Sequence, residues 1–209
     1  QNLIEVVRNN FQEYQNDLFA CFIKKSCQLL KQNRYIGLMT SYTWMFLTAF
    51  TNMRKDLLQN NYISSLIQPE YHAFFNEAFV PICTFVVGNL NINYKGTYIR
   101  LEQFTGAEEQ KKRVLEAVKN RNCDYLYSIT RELLKKIPDC PIAYWLKPST
   151  VDLFTQGTLL SNYAELKQGL ITGNNDRFLR FWQECDRHKI TTSKNKCNKW
   201  FFYHKGGEY

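Results

Sequence analysis

The residues best suited to chemistry lie in one aromatic segment of the first half of the chain. Phe74 and Phe75, with Tyr71 before them, stand between two runs of β-branched and aromatic residues, Tyr62–Gln68 and Val80–Val87. Rings at the end of a strand pair can stack on a flat ligand. They can equally fill the hydrophobic core, where large apolar side chains are usually found. From these residues alone both interpretations stay open.

The two runs that flank this segment are predicted to be strands. Each is short, and Pro69 and Gly88 bound them, which is typical of strands. Only residues 69–79 separate them. Parallel strands need a longer crossover connection, so the pair is predicted to be antiparallel.

Helices and strands alternate before this pair. Apolar residues at helical spacing predict a helix from Phe11 to Leu30, with Leu18, Cys21, Phe22 and Leu29 on its apolar side. The run Tyr35–Thr40 predicts a buried strand. A second helix, capped by Ser41 or Thr43, is expected to end near Asn61. This order predicts the end of a mostly parallel α/β sheet finished by one reversed strand.

The second half of the chain predicts a connector and a further domain. Thr97–Gln103 alternates in polarity and predicts an edge strand, while the mixed charges of Ala107–Lys136 predict a solvated helical segment. Prolines punctuate the chain at positions 138, 141 and 148, and a short helix is expected at Ser149–Gln156. We therefore predict three parts, which are residues 1–104, 105–147 and 148–209.

Composition restricts the kind of partner. The chain of 209 residues carries 27 Lys and Arg against 19 Asp and Glu, a net charge of +8, which favours an anionic partner such as nucleic acid. No apolar run is long enough to span a bilayer, so no membrane partner is expected. Seven cysteines without a CxxC pair lie mostly in apolar runs, which favours reduced thiols and a cytoplasmic location. Because the chain begins at Gln1, we interpret it as an internal fragment.

Several motifs that carry chemistry are absent from the sequence. There is no Asn-Pro-Pro-Tyr, and the nine glycines form neither GxGxxG nor GxxxxGK, so no phosphate-binding loop is predicted. Cys185, His188, Cys197 and His204 are metal-ligand types, but their spacing fits no zinc-finger pattern. We interpret them as ordinary loop residues and predict no metal site.

The stretch Lys167–Arg180 is the better candidate for binding. Glycines free its backbone, short polar side chains supply donors and acceptors, and basic side chains can meet phosphate; these candidates are Lys167, Thr172, Asn174, Asn175, Arg177 and Arg180. The alternative is a turn between two strands with a solvated face.

Several blocks of the chain, in order, resemble one family. They include DLFACFIKKSCQLL, YIGLMTSYTWMFL, AFFNEAFVPICTFVV, NYKGTYIRLEQF, KKIPDCPIAYWL, QGLITGNNDRFLRFW and KWFFYHKGGEY. The family is that of the PglX-type adenine-specific DNA methyltransferases of BREX phage defence, which are relatives of the Eco57I-type restriction-modification methylases. The resemblance extends from about Asp17 to Tyr209.

The resemblance implies the C-terminal half of a Rossmann-like class I methyltransferase sheet, followed by the start of a target-recognition domain. It implies an enzyme that transfers a methyl group from S-adenosylmethionine to N6 of adenine in double-stranded DNA, alongside other phage-defence proteins. In such enzymes the cofactor loop and the Asn-Pro-Pro-Tyr block lie upstream. This fragment alone is therefore expected to be inactive and not to bind S-adenosylmethionine.

The resemblance also implies roles for particular residues. Leu18 and Phe22 would contact the adenine of the cofactor, and Phe74 or Phe75 would stack on the target adenine once it is flipped out. The Lys167–Arg180 stretch would enter the recognition domain, either as a DNA contact or as a hinge. The rival hypothesis is a non-catalytic nucleic-acid- or protein-binding module on a methylase-like scaffold.

Overall fold

A computed structural model describes residues 2–71, 80–89, 94–165, 167, 169, 171–191 and 199–204. Within it the chain divides into two units, Gln1–Thr158 and Leu159–Tyr209. The first unit contains the sheet and every buried residue of the described part. No helix among the described residues is long and apolar enough to cross a membrane.

A mixed five-stranded sheet organises the first unit. Its strands are β1 (Tyr35–Ser41), β2 (Tyr62–Gln68), β3 (Ile82–Gly88), β4 (Lys95–Arg100) and β5 (Leu126–Thr130), in the spatial order β1-β3-β2-β4-β5. β3 is antiparallel to β1 and β2, β2 is parallel to β4, and β5 is antiparallel to β4. The predicted antiparallel pairing of β2 and β3 is confirmed. β1, β2 and β4 therefore point the same way, and their carboxyl ends lie at one edge of the sheet.

Seven α-helices are described along the chain. They are α1 (Leu3–Asn10), α2 (Leu18–Leu29), α3 (Thr51–Asn60), α4 (Ala107–Lys119), α5 (Arg131–Lys135), α6 (Pro148–Gln156) and α7 (Asn175–Phe178). The main core lies between one face of the sheet and helices α2 and α3, and it includes Trp44, Leu66 and Phe85. A smaller cluster around Ile99 and Ala117 packs α4 against the sheet.

The first predicted helix is wrong in its start and in most of its buried face. α2 begins at Leu18 because the carboxylate of Asp17 caps it, accepting the N–H of Phe19 at 3.3 Å. Of the predicted apolar side, Cys21 is buried as expected, but Leu18, Phe22 and Leu29 are 47%, 64% and 70% exposed. The other buried residues of the helix are Ala20 and Ile23. The helix has two apolar stripes, and periodicity alone does not say which one meets the sheet.

The second predicted helix is interrupted at its start. Two short 3-10 turns, Tyr42–Met45 and Thr48–Phe50, precede α3, and Ser41 caps the first of them by accepting the N–H of Thr43. The guanidinium of Arg54 donates to the carbonyl oxygens of Trp44 and Leu47 at 2.8 and 2.7 Å. A continuous α-helix would use these carbonyls for its own hydrogen bonds, so the buried arginine replaces the first helical turns.

Two strand positions also differ from the prediction. β1 was expected to be buried, but it pairs only with β3 among the described residues, and Tyr35 and Met39 are half exposed. β4 was expected at an edge, yet it lies between β2 and β5. The reason is β5, a strand inside the charged run that was predicted to be helical as far as Lys136.

The first unit extends beyond the predicted boundary at residue 148. Val151 of α6 is fully buried and packs with Ile137 and Ala143. A proline at its first turn starts α6 at Pro148. The unit therefore continues to Thr158. The functional division into residues 1–104, 105–147 and 148–209 stays a prediction.

The second unit has little core of its own among its described residues. None of them is buried, and Phe181 and Trp182 are 71% and 61% exposed. The regular structure of these described residues consists of α7, three short 3-10 turns and one parallel pair of two-residue strands, β6 (Ile190–Thr191) and β7 (Trp200–Phe201).

A polar network around Asp56 joins α2 and α3. Its carboxylate accepts hydrogen bonds from Tyr14 at 2.5 Å, Lys24 at 2.6 Å and Asn60 at 2.8 Å. Burial acts to raise the pKa of Asp56, but the hydrogen bonds from Lys24 and Tyr14 outweigh it and hold the pKa below its ordinary value. The folded state therefore binds this proton less readily than the unfolded chain does.

We expect Asp56 to contribute stability that acid removes. The contribution is present above about pH 4, the ordinary pKa of aspartate, and is lost as the pH falls through the lowered folded pKa. Asp56→Asn should cost about 1–3 kcal/mol at pH 7 and make unfolding less dependent on pH below pH 4. Urea unfolding at pH 7 and at several acid pH values measures both effects. Asp152→Asn, which removes an exposed ion pair with Lys136, is the control, and an equal cost in the two variants would contradict the prediction.

Candidate functional site

The carboxyl ends of β1, β2 and β4 form the candidate site. They end at Ser41, Gln68 and Arg100 on the same edge of the sheet, where the start of β3 lies between the ends of β1 and β2. Open α/β sheets bind their ligands outside this edge, where loops follow the strands. The chain leaves β2 at Gln68 and enters β3 at Ile82, so the predicted aromatic segment departs from the same edge and returns to it.

Phe74 and Phe75 themselves lie outside the described residues, as does all of 72–79. The flanking residues Tyr71 and Val80 are 44% and 42% exposed. The stacking role of Phe74 or Phe75 therefore stays a prediction.

Gln68 anchors the end of β2. Its side chain is buried, its Oε1 accepts the hydroxyl of Tyr144 at 2.6 Å, and its Nε2 donates to Glu102 at 2.6 Å. Its backbone carbonyl accepts the N–H of Leu101 at 2.8 Å. The side-chain oxygen, the side-chain nitrogen and the backbone carbonyl of Gln68 thus each have a partner, as buried polar groups require. These bonds hold the last residue of β2 against the segment after β4.

A second contact follows two residues later. The carboxylate of Glu70 accepts the backbone N–H of Gly106 at 2.7 Å. Gly106 precedes α4 and has φ of +91°, a conformation that glycine adopts without strain. The chain is also held just before β3, because the N–H of Tyr42 donates to the carbonyl of Pro81 at 3.0 Å.

A half-buried aromatic group lies beside these contacts. The guanidinium of Arg100 lies 4.3 Å from the ring centre of Trp145 and pairs with Glu102 at 2.6 Å. Phe46 lies 5.6 Å from the same ring, and Tyr42 lies 6.3 Å from Phe46. Burial raises the pKa of Tyr42, and the nearby Glu102 and Tyr71 raise it further, so its hydroxyl stays protonated at neutral pH.

Sequence reasoning missed this polar network. Gln68 was noted only as the end of a predicted strand, Glu102 only as a residue within the predicted strand Thr97–Gln103, and Tyr144 only as part of a block that carried the resemblance. One signal was available, because polar residues directly after β-rich runs mark the carboxyl edge of a sheet. The pairing of Gln68 with Tyr144 spans 76 residues and leaves no local pattern.

The two predicted cofactor contacts lie together in a groove between α1 and α2. Leu18 and Phe22 line it, and its volume is about 470 Å³. Its lining is mostly apolar, with Leu3, Val6, Val7, Asn10, Phe11, Cys21, Lys25 and Gln28 completing it. Its size falls within the range of small-molecule sites, and a flat apolar ring fits such a lining. The contact of Leu18 and Phe22 with S-adenosylmethionine stays a prediction.

In the second unit the predicted DNA-binding side chains make mostly local contacts. Asn174 caps α7 by accepting the N–H of Arg177 at 3.0 Å, and Thr172 donates to Asn175 at 2.5 Å. Arg180 donates to the carbonyls of residues 176 and 179 at 2.8 and 2.6 Å. The alternative, a turn between two strands, is wrong, because part of this stretch forms the short helix α7.

The basic side chains of this stretch remain accessible. Lys167 pairs with Glu165 at 2.9 Å, and the two side chains are 72% and 81% exposed. Arg177 is exposed as well and lies over the ring of Phe178 at 5.2 Å. Their contact with DNA stays a prediction.

The predicted metal-ligand types are only partly described. Cys197 lies outside the described residues. Within the part of the chain that the structure describes, no three His, Cys, Asp or Glu side chains gather as a metal site would require.

Comparison with known proteins gives similarity along the whole chain. The family model of the Eco57I restriction-modification methylases matches residues 2–75. The adenine-specific methyltransferase PglX of Lacticaseibacillus casei (strain Zhang) is 31% identical over 218 aligned residues, which cover 100% of this chain and 18% of that protein. The adenine-specific methyltransferase BrxX of Escherichia coli O9:H4 (strain HS) is also 31% identical, over 99% of this chain and 17% of that protein.

The resemblance to the PglX-type adenine methyltransferases is confirmed. Two curated proteins of this type match the chain from end to end, and a methylase family model matches its first third. The chain spans less than a fifth of the length of these PglX-type relatives. The activity of these whole proteins can therefore only be proposed for this chain.

Solved structures agree on the fold. The type I restriction-modification methyltransferase subunit from Streptococcus thermophilus superposes with a TM-score of 0.52 at 16% identity, over 66% of this chain and 33% of that one. A subunit from Vibrio vulnificus YJ016, described as the modification subunit of a type I restriction enzyme, gives 0.51 at 11% identity over 73% and 36%. The predicted α/β fold of the class I methyltransferase type is confirmed.

Proposed function

We propose that this chain is an internal part of an S-adenosylmethionine-dependent enzyme that methylates N6 of adenine in double-stranded DNA, in phage defence or restriction-modification. The observation that carries the proposal is the match to PglX along the whole chain, joined to a sheet of the methyltransferase type. The chain would supply the far half of the catalytic sheet and the start of the DNA-recognition domain. Other phage-defence proteins are proposed as partners of the whole enzyme.

Catalysis would need segments that this sequence does not contain. The sequence has no glycine-rich cofactor loop and no Asn-Pro-Pro-Tyr. We propose that the chain alone neither binds S-adenosylmethionine nor transfers a methyl group. S-adenosylmethionine, when bound by the whole enzyme, supplies the methyl group that is transferred.

The residues of this chain would bind and orient rather than react. Leu18 and Phe22 offer an apolar wall for the adenine ring of the cofactor, because both side chains face an open groove. Phe74 or Phe75 would receive the flipped target adenine, since both belong to the segment that leaves the carboxyl edge after β2. A ring at that place would replace part of the stacking that the base loses on leaving the duplex.

A direct experiment tests the proposal in the full-length protein that contains this chain. Reading the coding sequence upstream of residue 1 should reveal a glycine-rich loop and Asn-Pro-Pro-Tyr. The purified protein, with its defence-system partners added, should transfer a tritiated methyl group from S-adenosylmethionine to duplex DNA, and digestion should recover N6-methyladenine. The absence of both motifs upstream would favour the rival, a non-catalytic binding module on a methylase-like scaffold.

For the second unit we propose that Lys167, Arg177 and Arg180 contact DNA phosphates, with Thr172, Asn174 and Asn175 shaping the turn that presents them. Each phosphate contact releases about one counterion, so replacing one of these three by alanine should lower the slope of log K against log salt by about 1. Fluorescence anisotropy of a labelled duplex between 50 and 300 mM salt, roughly the range where such slopes are read, measures this. Lys189→Ala, another exposed cation of the second unit, is the control. Unchanged slopes in all three variants would favour a hinge.

A further inference from the structure

The segment after β2 is tied to the start of α4 by a single carboxylate. Glu70 accepts the N–H of Gly106 at 2.7 Å, and no side chain of the described residues caps α4 from within its own turn. A helix of 13 residues presents free N–H groups and a partial positive charge at this end. A carboxylate is the group best matched to both, so this contact is stronger than one between neutral groups.

The contact joins two places that are far apart in the chain. Glu70 follows β2 by two residues, and Gly106 lies 36 residues further along. Gln68 already holds the last residue of β2 through Tyr144 and Glu102. Pro69, between them, is buried and has one fixed backbone angle. Three consecutive residues are thus held, and the direction in which the chain leaves the sheet is set.

We infer that Glu70 is a positioning residue, which fixes the direction in which the chain leaves β2, at residues 68–70, by binding the N-terminus of α4. The inference rests on the proposed function, because that segment would carry the ring that receives the target adenine. Glu70 does not touch substrate or cofactor in this role. Its effect passes through the backbone of the segment that it holds.

Two substitutions separate the hydrogen bond from the mere presence of a side chain. Glu70→Ala removes the acceptor, whereas Glu70→Gln keeps an oxygen at the same place without the charge and should rescue part of the function. Glu132→Ala is the matched control, because Glu132 is an exposed carboxylate in the same unit that makes only surface ion pairs. All three are made in the full-length protein.

Hydrogen exchange tests the contact independently of methyl transfer. In Glu70→Ala the amide of Gly106 should exchange about tenfold faster, as expected for the loss of a charge-assisted hydrogen bond, and peptides that begin at Pro69 should also exchange faster. Glu132→Ala should match the wild type, and Glu70→Gln, which keeps a neutral acceptor, should exchange at a rate between those of the wild type and Glu70→Ala. Unchanged exchange at Gly106 in Glu70→Ala would overturn the inference, whether or not the protein is a methyltransferase.

Kinetics then separate positioning from stability. With duplex DNA and S-adenosylmethionine, Glu70→Ala should lower kcat about tenfold and leave KM for the cofactor within about twofold, because only the placement of the base changes. The fluorescence rise of 2-aminopurine at the target site should fall in parallel. An unchanged kcat together with faster exchange would overturn the positioning role and leave a structural cap. A wild-type protein without methyl transfer would contradict the proposed function, while the exchange result would still decide whether Glu70 holds the segment.

Discussion

Replacing Arg54 by methionine is expected to lower the free energy of unfolding by about 2–5 kcal/mol, because two carbonyls lose their donor at a cost of about 1–3 kcal/mol each. Arg54 is 1% exposed, and its guanidinium donates to the carbonyls of Trp44, Leu47 and Asp139 and to the hydroxyl of Thr51. Methionine fills a similar volume but removes the donor from the carbonyls of Trp44 and Asp139, whereas the carbonyl of Leu47 keeps the N–H of Phe50 at 3.0 Å. Buried acceptors that lose their donor incur the cost of desolvation in full.

The same change should loosen the carboxyl edge of the sheet. The carbonyls that Arg54 binds belong to the turns that follow β1, and Asp139 precedes the segment that carries Tyr144. Asp139 has φ of +61°, which costs a residue other than glycine some strain, and the two hydrogen bonds from Arg54 help to offset that strain.

Urea unfolding followed by circular dichroism measures the effect of the Arg54 substitution. Arg113→Met is the control, because Arg113 lies on α4 with 30% of its side chain exposed and makes surface ion pairs and one contact with the ring of Phe104 at 4.7 Å. The control should lose less than about 1 kcal/mol. The loss of unfolding free energy in Arg54→Lys should lie between those of the two methionine variants. The single ammonium group of lysine cannot donate at once to all the acceptors that the planar guanidinium reaches. Equal losses for Arg54→Met and Arg113→Met would refute the proposed importance of this network.

Phe74→Ala in the full-length enzyme is expected to weaken base flipping by about 1–3 kcal/mol, the value of stacking one base on an aromatic ring. That range corresponds to a loss of roughly 5- to 150-fold in the population of the flipped state. The 2-aminopurine fluorescence at the target adenine should drop, and kcat should drop with it. Phe75→Ala is measured beside it, and the variant with the larger loss identifies the stacking ring.

The control for the aromatic substitution is Phe154→Ala, which removes a ring of the same type from α6, where it is 45% exposed. It should leave both fluorescence and turnover unchanged. If Phe74→Ala and Phe75→Ala also leave both unchanged, the stacking role of this segment is wrong, and the family resemblance alone would remain.

Local sequence patterns determined a large part of the fold. The runs that became β2 and β3 were identified from their composition, and their short separation required them to be antiparallel. The blocks that resemble PglX-type methyltransferases predicted the class of fold and the family, and both predictions are confirmed. The strand prediction depends only on residues that are neighbours in the sequence. The family resemblance depends on the order of the matching blocks along the chain.

The tertiary structure decided what depended on distant partners. β5 was missed because the charged run around it was predicted to be helical, although Tyr127, Ile129 and Thr130 are residue types that favour strands. Its pairing with β4 moves β4 from an edge to the interior of the sheet. Arg54 interrupts a predicted helix through contacts that reach as far as Asp139, 85 residues away. Which stripe of α2 faces the sheet was likewise decided by packing.

The candidate site divides in the same way. Sequence alone identified the segment between β2 and β3 and the groove residues Leu18 and Phe22, because residue type and family order carry that information. It did not identify the contacts of Gln68 and Glu70 with residues 34 to 76 positions away. Such contacts leave no periodic signal, since their partners are brought together only when the sheet and its helices pack.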